Sequence, residues 1–180
     1  RMGFNLLRYG IFWDAVEPQP GKIDYEYLNK VKSIVGKADM IQSVDSVRLA
    51  DEISKRSIEA GVVTDVLCEI NIGREENKGG VMPEDCESLV SYMETLSGLR
   101  VRGLMTMAPV CEKKDDYRKY FDKTYSIYLD ILQNKSHNII ESVLSMGMSD
   151  SFEAAIESGA TMVRVGSSVF GKRYYPQTSI

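Results

Sequence analysis

Short apolar runs alternate along this chain with longer stretches in which apolar residues recur at helical spacing. Residues 4–13 (FNLLRYGIFW) read as a strand, and residues 24–35 as a helix that Gly36 ends. Residues 38–42 read as a short buried strand. A helix is expected over 46–60, with Gly61 as its stop. Val47, Ala50 and Ile58 share one face of that helix and Ile53 flanks it, whereas Leu49 falls off the stripe. A strand over 62–72 leads into a polar, glycine-containing loop over 73–81. The next helix, 83–97, opens on Pro83, where the missing N–H removes no intrahelical bond. Residues 101–107 read as a strand. The helix over 115–133 carries Tyr117, Tyr120, Phe121, Tyr125 and Tyr128, an aromatic stripe expected to pack in the core. A strand over 140–144, a helix over 149–158 and a strand over 161–165 complete the pattern.

Strict alternation of strand and helix implies parallel strands joined by helical crossovers. The pattern supplies about six strands, whereas a closed (β/α)8 barrel needs eight. The expected fold class is therefore α/β, of the (β/α)8 TIM-barrel type, incomplete at about six βα units. Residues 4–13 would then form an exposed apolar edge. A doubly wound open sheet is the alternative, but no GxGxxG follows the first strand.

Composition narrows the function classes. The chain has 180 residues, 43% of them hydrophobic and 27% charged, with a net charge of −4. This suits a soluble domain with a real core and argues against a nucleic-acid partner, which would select a basic surface. No apolar run is long enough to span a membrane. Residues 1–7 lack the order of a signal peptide, so the expected location is cytoplasmic. Cys68, Cys86 and Cys111 form no CxxC pair, so free thiols are expected and no metal site. The single histidine, His137, lies in a polar stretch and reads as a solvated loop side chain rather than a catalytic base.

The most informative stretch covers residues 144–173, LSMGMSDSFEAAIESGATMVRVGSSVFGKR. After a strand ending at Leu144, residues 145–149 read as a small-residue turn into a helix. Serine hydroxyls and free amides there would face an anion. After the next strand, Arg164-Val165-Gly166-Ser167-Ser168 places a second Gly/Ser turn before a short helix at 169–171. In barrels, the loops after the last two strands commonly form a phosphate site. Spacing alone leaves open that both are ordinary tight βα turns.

LSMGMS, a following acidic residue and helix, then GAT, VRVG and FG closely resemble the C-terminal signature of the pyridoxal phosphate (PLP) homeostasis family. Asn29-Lys30-Val31-Lys32 resembles its NKxK step. Ser43-Val44-Asp45-Ser46 before Leu49-Ala50 resembles its SVDS strand end. Asn71-Ile72 through Asn77-Lys78-Gly79 resembles its asparagine strand and Lys-Gly loop, and Gly103-Leu104-Met105-Thr106 its GLM strand. The likeness runs from about residue 29 to 174. It implies a (β/α)8 barrel related to the N-terminal domain of alanine racemase, with pyridoxal 5'-phosphate as cofactor. Residue by residue, it implies that Ser145, Gly166 and Ser167 hold the phosphate, that Arg164 faces the pyridine nitrogen, and that Met148 and Ser149 line the pocket. Asn71 and Lys78 match the family's strand asparagine and loop lysine; a solvated loop charge is the other reading of Lys78.

The resemblance also implies PLP carriage and vitamin B6 homeostasis without substrate turnover. PLP and other phosphorylated B6 vitamers would be the ligands, and PLP-dependent apo-enzymes the recipients. The family attaches PLP to a lysine on its first strand, in a V-S-K motif that this chain lacks, so no catalytic residue is assigned. Gln42 stands where the family often has histidine. Residues 1–28 depart from the pattern. Their strand and loop resemble a segment of cellulase-like glycoside hydrolases, which sets them apart from a PLP-binding barrel domain over 29–180. Two alternatives stay open: a barrel fragment or chimera with weak phosphate binding, and a glycoside hydrolase. The latter requires a carboxylate pair that is not apparent.

Overall fold

Among the described residues of the computed structural model, five strands lie side by side in the order of the sequence. They are β1 (Met40–Val44), β2 (Thr64–Ile70), β3 (Leu99–Thr106), β4 (Val143–Met148) and β5 (Met162–Arg164). Among the described residues, the helices α1 (Val47–Glu59), α2 (Cys86–Glu94), α3 (Lys114–Gln133), α4 (Phe152–Glu157) and α5 (Ser167–Phe170) accompany them. The structure describes residues 33–134, 139 and 141–171. The strand expected over 4–13, most of the helix over 24–35, and His137 lie outside the described residues.

Every neighbouring pair is parallel. A doubly wound sheet reverses its strand order at a switch point; this one does not. Its curvature is visible in two side-chain contacts. Ser145 on β4 donates to Gln42 Oε1 on β1 at 2.8 Å, and Gln42 Nε2 lies 3.1 Å from Met162 Sδ on β5. On a flat sheet, strands three and four places apart would be separated by about 14 and 19 Å. The sheet is therefore curled into a trough, the arc of a barrel wall.

The crossovers show why these segments fold as they do. Ser46 caps α1 from extended backbone, its hydroxyl accepting from Leu49 N at 3.3 Å. Gly61 ends the helix at φ +68. The buried face consists of Leu49, Ala50, Ile53, Ser54 and Ser57, while Val47 and Ile58 are exposed. The expected stripe was thus rotated. Two of the five residues on the real face are serine, which an apolar pattern does not register. Ser57 satisfies itself on Ile53 O at 2.8 Å and Thr64 Oγ1 at 2.6 Å. Ser54 Oγ accepts from Gly98 N at 3.3 Å.

On α3 the buried residues are Tyr117, Phe121, Thr124, Tyr128 and Ile131. Tyr117 stacks on Phe121 with ring centroids 6.1 Å apart. Tyr125 is on the exposed side, so the aromatic stripe is narrower than expected. The segment expected as one helix from Pro83 splits into a 3₁₀ turn, Pro83–Asp85, and α2. Fully buried Leu49, Ile53, Phe121, Leu104, Leu144 and Met146 anchor the core between helices and sheet. Burying each such side chain contributes about 1.5–3 kcal/mol.

One difference bears on function. The strand expected at 140–144 begins at Val143 and continues through Met148. Ser145 pairs with Met105 on one side and Met162 on the other. The small residues at 145–148 are therefore strand, and the turn falls at 149–151. Gly147 has φ +89, and a Cβ there would stand 2.5 Å from Ala155 Cβ and 3.1 Å from Phe152 Cα. Its smallness serves the seating of α4 on β4, not a chain reversal.

Candidate functional site

In a parallel sheet all C-terminal strand ends share one rim, and the two turns singled out in the sequence meet there. The turn after β4 brings Ser149 to the turn after β5. Ser149 Oγ accepts from Gly166 N and from Ser168 N, each at 3.2 Å. Ser168 Oγ returns to Ser149 O at 3.4 Å. Ser151 closes the first turn, its hydroxyl accepting from Met148 N at 3.1 Å. Two main-chain N–H groups converging on one oxygen form an anion-binding concavity. Here a hydroxyl oxygen stands where an anion's oxygen could stand. A Cβ built on Gly166 would meet nothing within 4 Å, so the space beside this backbone is open.

Below the rim is a second polar layer. Arg164, the last residue of β5, donates through Nη1 to Ser145 Oγ at 2.7 Å and through Nη2 to Thr106 O at 2.9 Å. Ser145 is fully buried and passes its own proton to Gln42. Thr106 is fixed in turn, donating to Ile70 O at 2.8 Å. Glu69 pairs in register with Met105, and Met105 with Ser145. Register partners in a parallel sheet point to one face, so the buried Glu69 shares the face of Ser145. The guanidinium is thus held by groups on β3 and β4, with β1 behind them. Sequence reasoning missed Thr106 and Glu69. The signal for Glu69 was present, as one acid inside the apolar run VLCEINI.

The structure does not bring all the expected residues to one place. Ser149 and Gly166 meet at the rim, and Ser167 is exposed beside them. Met148 is largely exposed at the end of β4. Ser145 lies inside a strand, not in the turn expected over 145–149, and its hydroxyl meets Gln42 and Arg164. Asn71 is buried and organises the loop after β2. It donates to Glu75 O at 2.8 Å and Lys78 O at 3.2 Å, and accepts from Glu75 N at 3.0 Å. Lys78 is ion-paired with Glu75. Both residues stand at the same rim, with their polar groups spent on the loop itself.

Among the described residues, no cluster of three His, Cys, Asp or Glu side chains could hold a metal ion, and no helix is long and apolar enough to cross a membrane. Cys68 and Cys86 are fully buried with sulfurs 3.9 Å apart. The hydrogen bond with Cys86 and burial push the Cys68 thiol well up, so it stays protonated and inert at neutral pH. Cys111 is partly exposed. An aromatic disulfide reagent should therefore titrate one thiol quickly in the native chain and all three after denaturation. Rapid reaction of two or more native thiols would contradict this packing.

The alanine racemase N-terminal domain family matches residues 24–174. The pyridoxal phosphate homeostasis protein of Aquifex aeolicus is 48% identical over 147 residues, which are 82% of this chain and 64% of that protein. The Escherichia coli protein of the same name is 32% identical over 167 residues, 92% of this chain and 67% of that one. The chain thus spans a little under two thirds of the length of the Aquifex relative. PipY of Synechococcus elongatus, solved with PLP bound, superposes with a TM-score of 0.69 at 27% identity, covering 80% of this chain and 66% of PipY. An alanine racemase from Clostridium difficile superposes at 0.66 with 18% identity, covering 84% of this chain and 38% of that one, a likeness of fold alone.

Proposed function

Because the chain belongs to the alanine racemase N-terminal domain family, and within it to the pyridoxal phosphate homeostasis proteins, we propose that it binds pyridoxal 5'-phosphate through the turns after β4 and β5 and serves vitamin B6 homeostasis without substrate turnover. The observation that carries this reading is the convergence of the Gly166 and Ser168 amides on a single oxygen beside open space. The Gly166 and Ser168 amides, with the Ser149 hydroxyl, would hold the phosphate there. Ser167 lies beside this seat, and Met148 borders it. Asn71 and Lys78 shape the neighbouring loop.

PLP, when bound, supplies an electrophilic carbonyl and an electron-withdrawing ring. Arg164 is assigned to the pyridine nitrogen. Its guanidinium is permanently charged, so it disfavours a proton on that nitrogen and weakens the ring as an electron sink. This suits carriage rather than amino-acid turnover. Ser145 is reassigned from the phosphate to the support of Arg164. The barrel unit is assigned to residues 29–180 and residues 1–28 to a separate segment. The working location is the cytoplasm, with apo-enzymes that need PLP as recipients.

Equilibrium dialysis of PLP, pyridoxine 5'-phosphate and pyridoxal against the chain tests the reading. Both phosphorylated vitamers are expected to bind at least about tenfold tighter than pyridoxal, since each hydrogen bond to a charged oxygen contributes about 1.5–3 kcal/mol. Equal binding of phosphorylated and bare vitamers would overturn it. Racemisation or transamination of an amino acid with added PLP would overturn the assignment as a carrier.

A further inference from the structure

We propose that Gln42 is a positioning residue: it sets the direction of the Ser145 proton and thereby locks the Arg164 guanidinium that faces the ligand ring. The role of Arg164 at the ring rests on the function proposed above; the locking itself does not.

A serine hydroxyl has one proton and two lone pairs, and it rotates to suit its neighbours. An arginine guanidinium can only donate. Ser145 must therefore accept from Arg164, which it does at 2.7 Å, and it needs somewhere else to send its own proton. Gln42 Oε1, at 2.8 Å, is that acceptor. The amide is itself oriented, because its Nε2 end lies against the Met162 sulfur at 3.1 Å, leaving the oxygen for Ser145. The result is a one-way chain of donors from Arg164 through Ser145 to Gln42. Such chains strengthen one another in a low-dielectric interior.

The Gln42 and Ser145 side chains are buried: Ser145 is fully so and Gln42 is 8% exposed. Gln42 and Ser145 stand three strands apart and share no backbone ladder. Their hydrogen bond therefore ties opposite walls of the trough at the level of Arg164. With this acceptor removed, the Ser145 hydroxyl has no fixed place for its proton, and competes with Arg164 Nη1 for the space between them. Arg164 then keeps its bond to Thr106 O but loses Ser145 Oγ as a fixed acceptor.

The test compares the full chain with Gln42→Met, which keeps the bulk and removes the amide oxygen, and Gln42→Glu, which keeps an acceptor oxygen. Nitrogen-15 NMR of the ligand-free chain reads the guanidinium directly. Distinct, slowly exchanging Arg164 Nη protons are expected in the wild type, broadened or lost in Gln42→Met, and recovered in Gln42→Glu. Unchanged Arg164 signals in a folded Gln42→Met chain would overturn the proposal whether or not PLP binds.

The ligand arm uses PLP itself. Gln42→Met should weaken PLP binding by roughly three- to tenfold and shift the absorption maximum of bound PLP. Affinity for inorganic phosphate should not change, because the rim amides are untouched. Since Gln42 acts through Ser145, Ser145→Ala with Gln42→Met should bind no more weakly than Ser145→Ala alone. Additive losses would overturn the proposal, and the folded Gln42→Glu chain keeps it decidable if Gln42→Met does not fold. Failure of the wild type to prefer PLP over pyridoxal would instead count against the proposed function, with the NMR arm still deciding the role of Gln42.

Discussion

A single methyl group at position 103 is expected to destabilise the chain by about 3 kcal/mol or more, through combined backbone strain and overpacking. Gly103 lies within β3 at φ +139, and a Cβ there would stand 2.0 Å from Val143 O. That oxygen belongs to the neighbouring strand, whose Val143 is the register partner of Gly103. Relief requires β3 and β4 to separate where they align Met105 with Ser145. The site layer should therefore suffer along with the fold. Gly61→Ala is the control. Gly61 also has positive φ, but nothing lies within 4 Å of its Cβ position, so only the backbone cost of about 1–2 kcal/mol applies. Denaturant unfolding of the two variants separates close approach from backbone strain. Equal losses would show that β3 and β4 are not as close as described.

The second large effect is on binding. Gly166→Val should reduce PLP affinity by roughly 100-fold, the equivalent of two hydrogen bonds to a charged group at the lower end of their range. Its side chain would grow into the open space beside the two converging amides and hold the phosphate away from them. The fold should tolerate the change, because the Cβ position at Gly166 is free of contacts. The substitution thus separates the phosphate seat from the fold. Pyridoxal, having no phosphate, should bind both chains alike. A Gly166→Val chain that still prefers PLP over pyridoxal would place the phosphate elsewhere.

The alternation of strands and helices was legible because a short apolar run such as 66–72 differs strongly from the helical spacing of apolar residues over 114–133. The site was legible in part. The turn carrying Ser149 and the turn carrying Gly166 show as small polar residues after apolar runs, and they do meet. What escaped was the boundary of β4. Ser145 and Gly147 look like turn residues, yet one is a buried strand side chain and the other makes room for Ala155. The face of α1 escaped for a related reason: buried serines satisfied by Ile53 O, Thr64 and Gly98 leave no hydrophobic trace. The contact of Gln42 with Ser145 spans 103 positions of sequence and depends on the curvature of the sheet, which no local pattern encodes. Asn71 drew attention through the family resemblance, and its three hydrogen bonds organise its own loop.

The central claim is that the main-chain amides of Gly166 and Ser168 form the seat for a phosphate. The most direct measurement is the movement of their nitrogen-15 amide signals as pyridoxine 5'-phosphate is added, with pyridoxine as the control. These two signals should show the largest changes in the chain, moving downfield as the amides donate to a charged oxygen. Pyridoxine should leave them nearly still. Saturable binding of pyridoxine 5'-phosphate that leaves both amides unmoved, or moves them no more than pyridoxine does, would contradict the account.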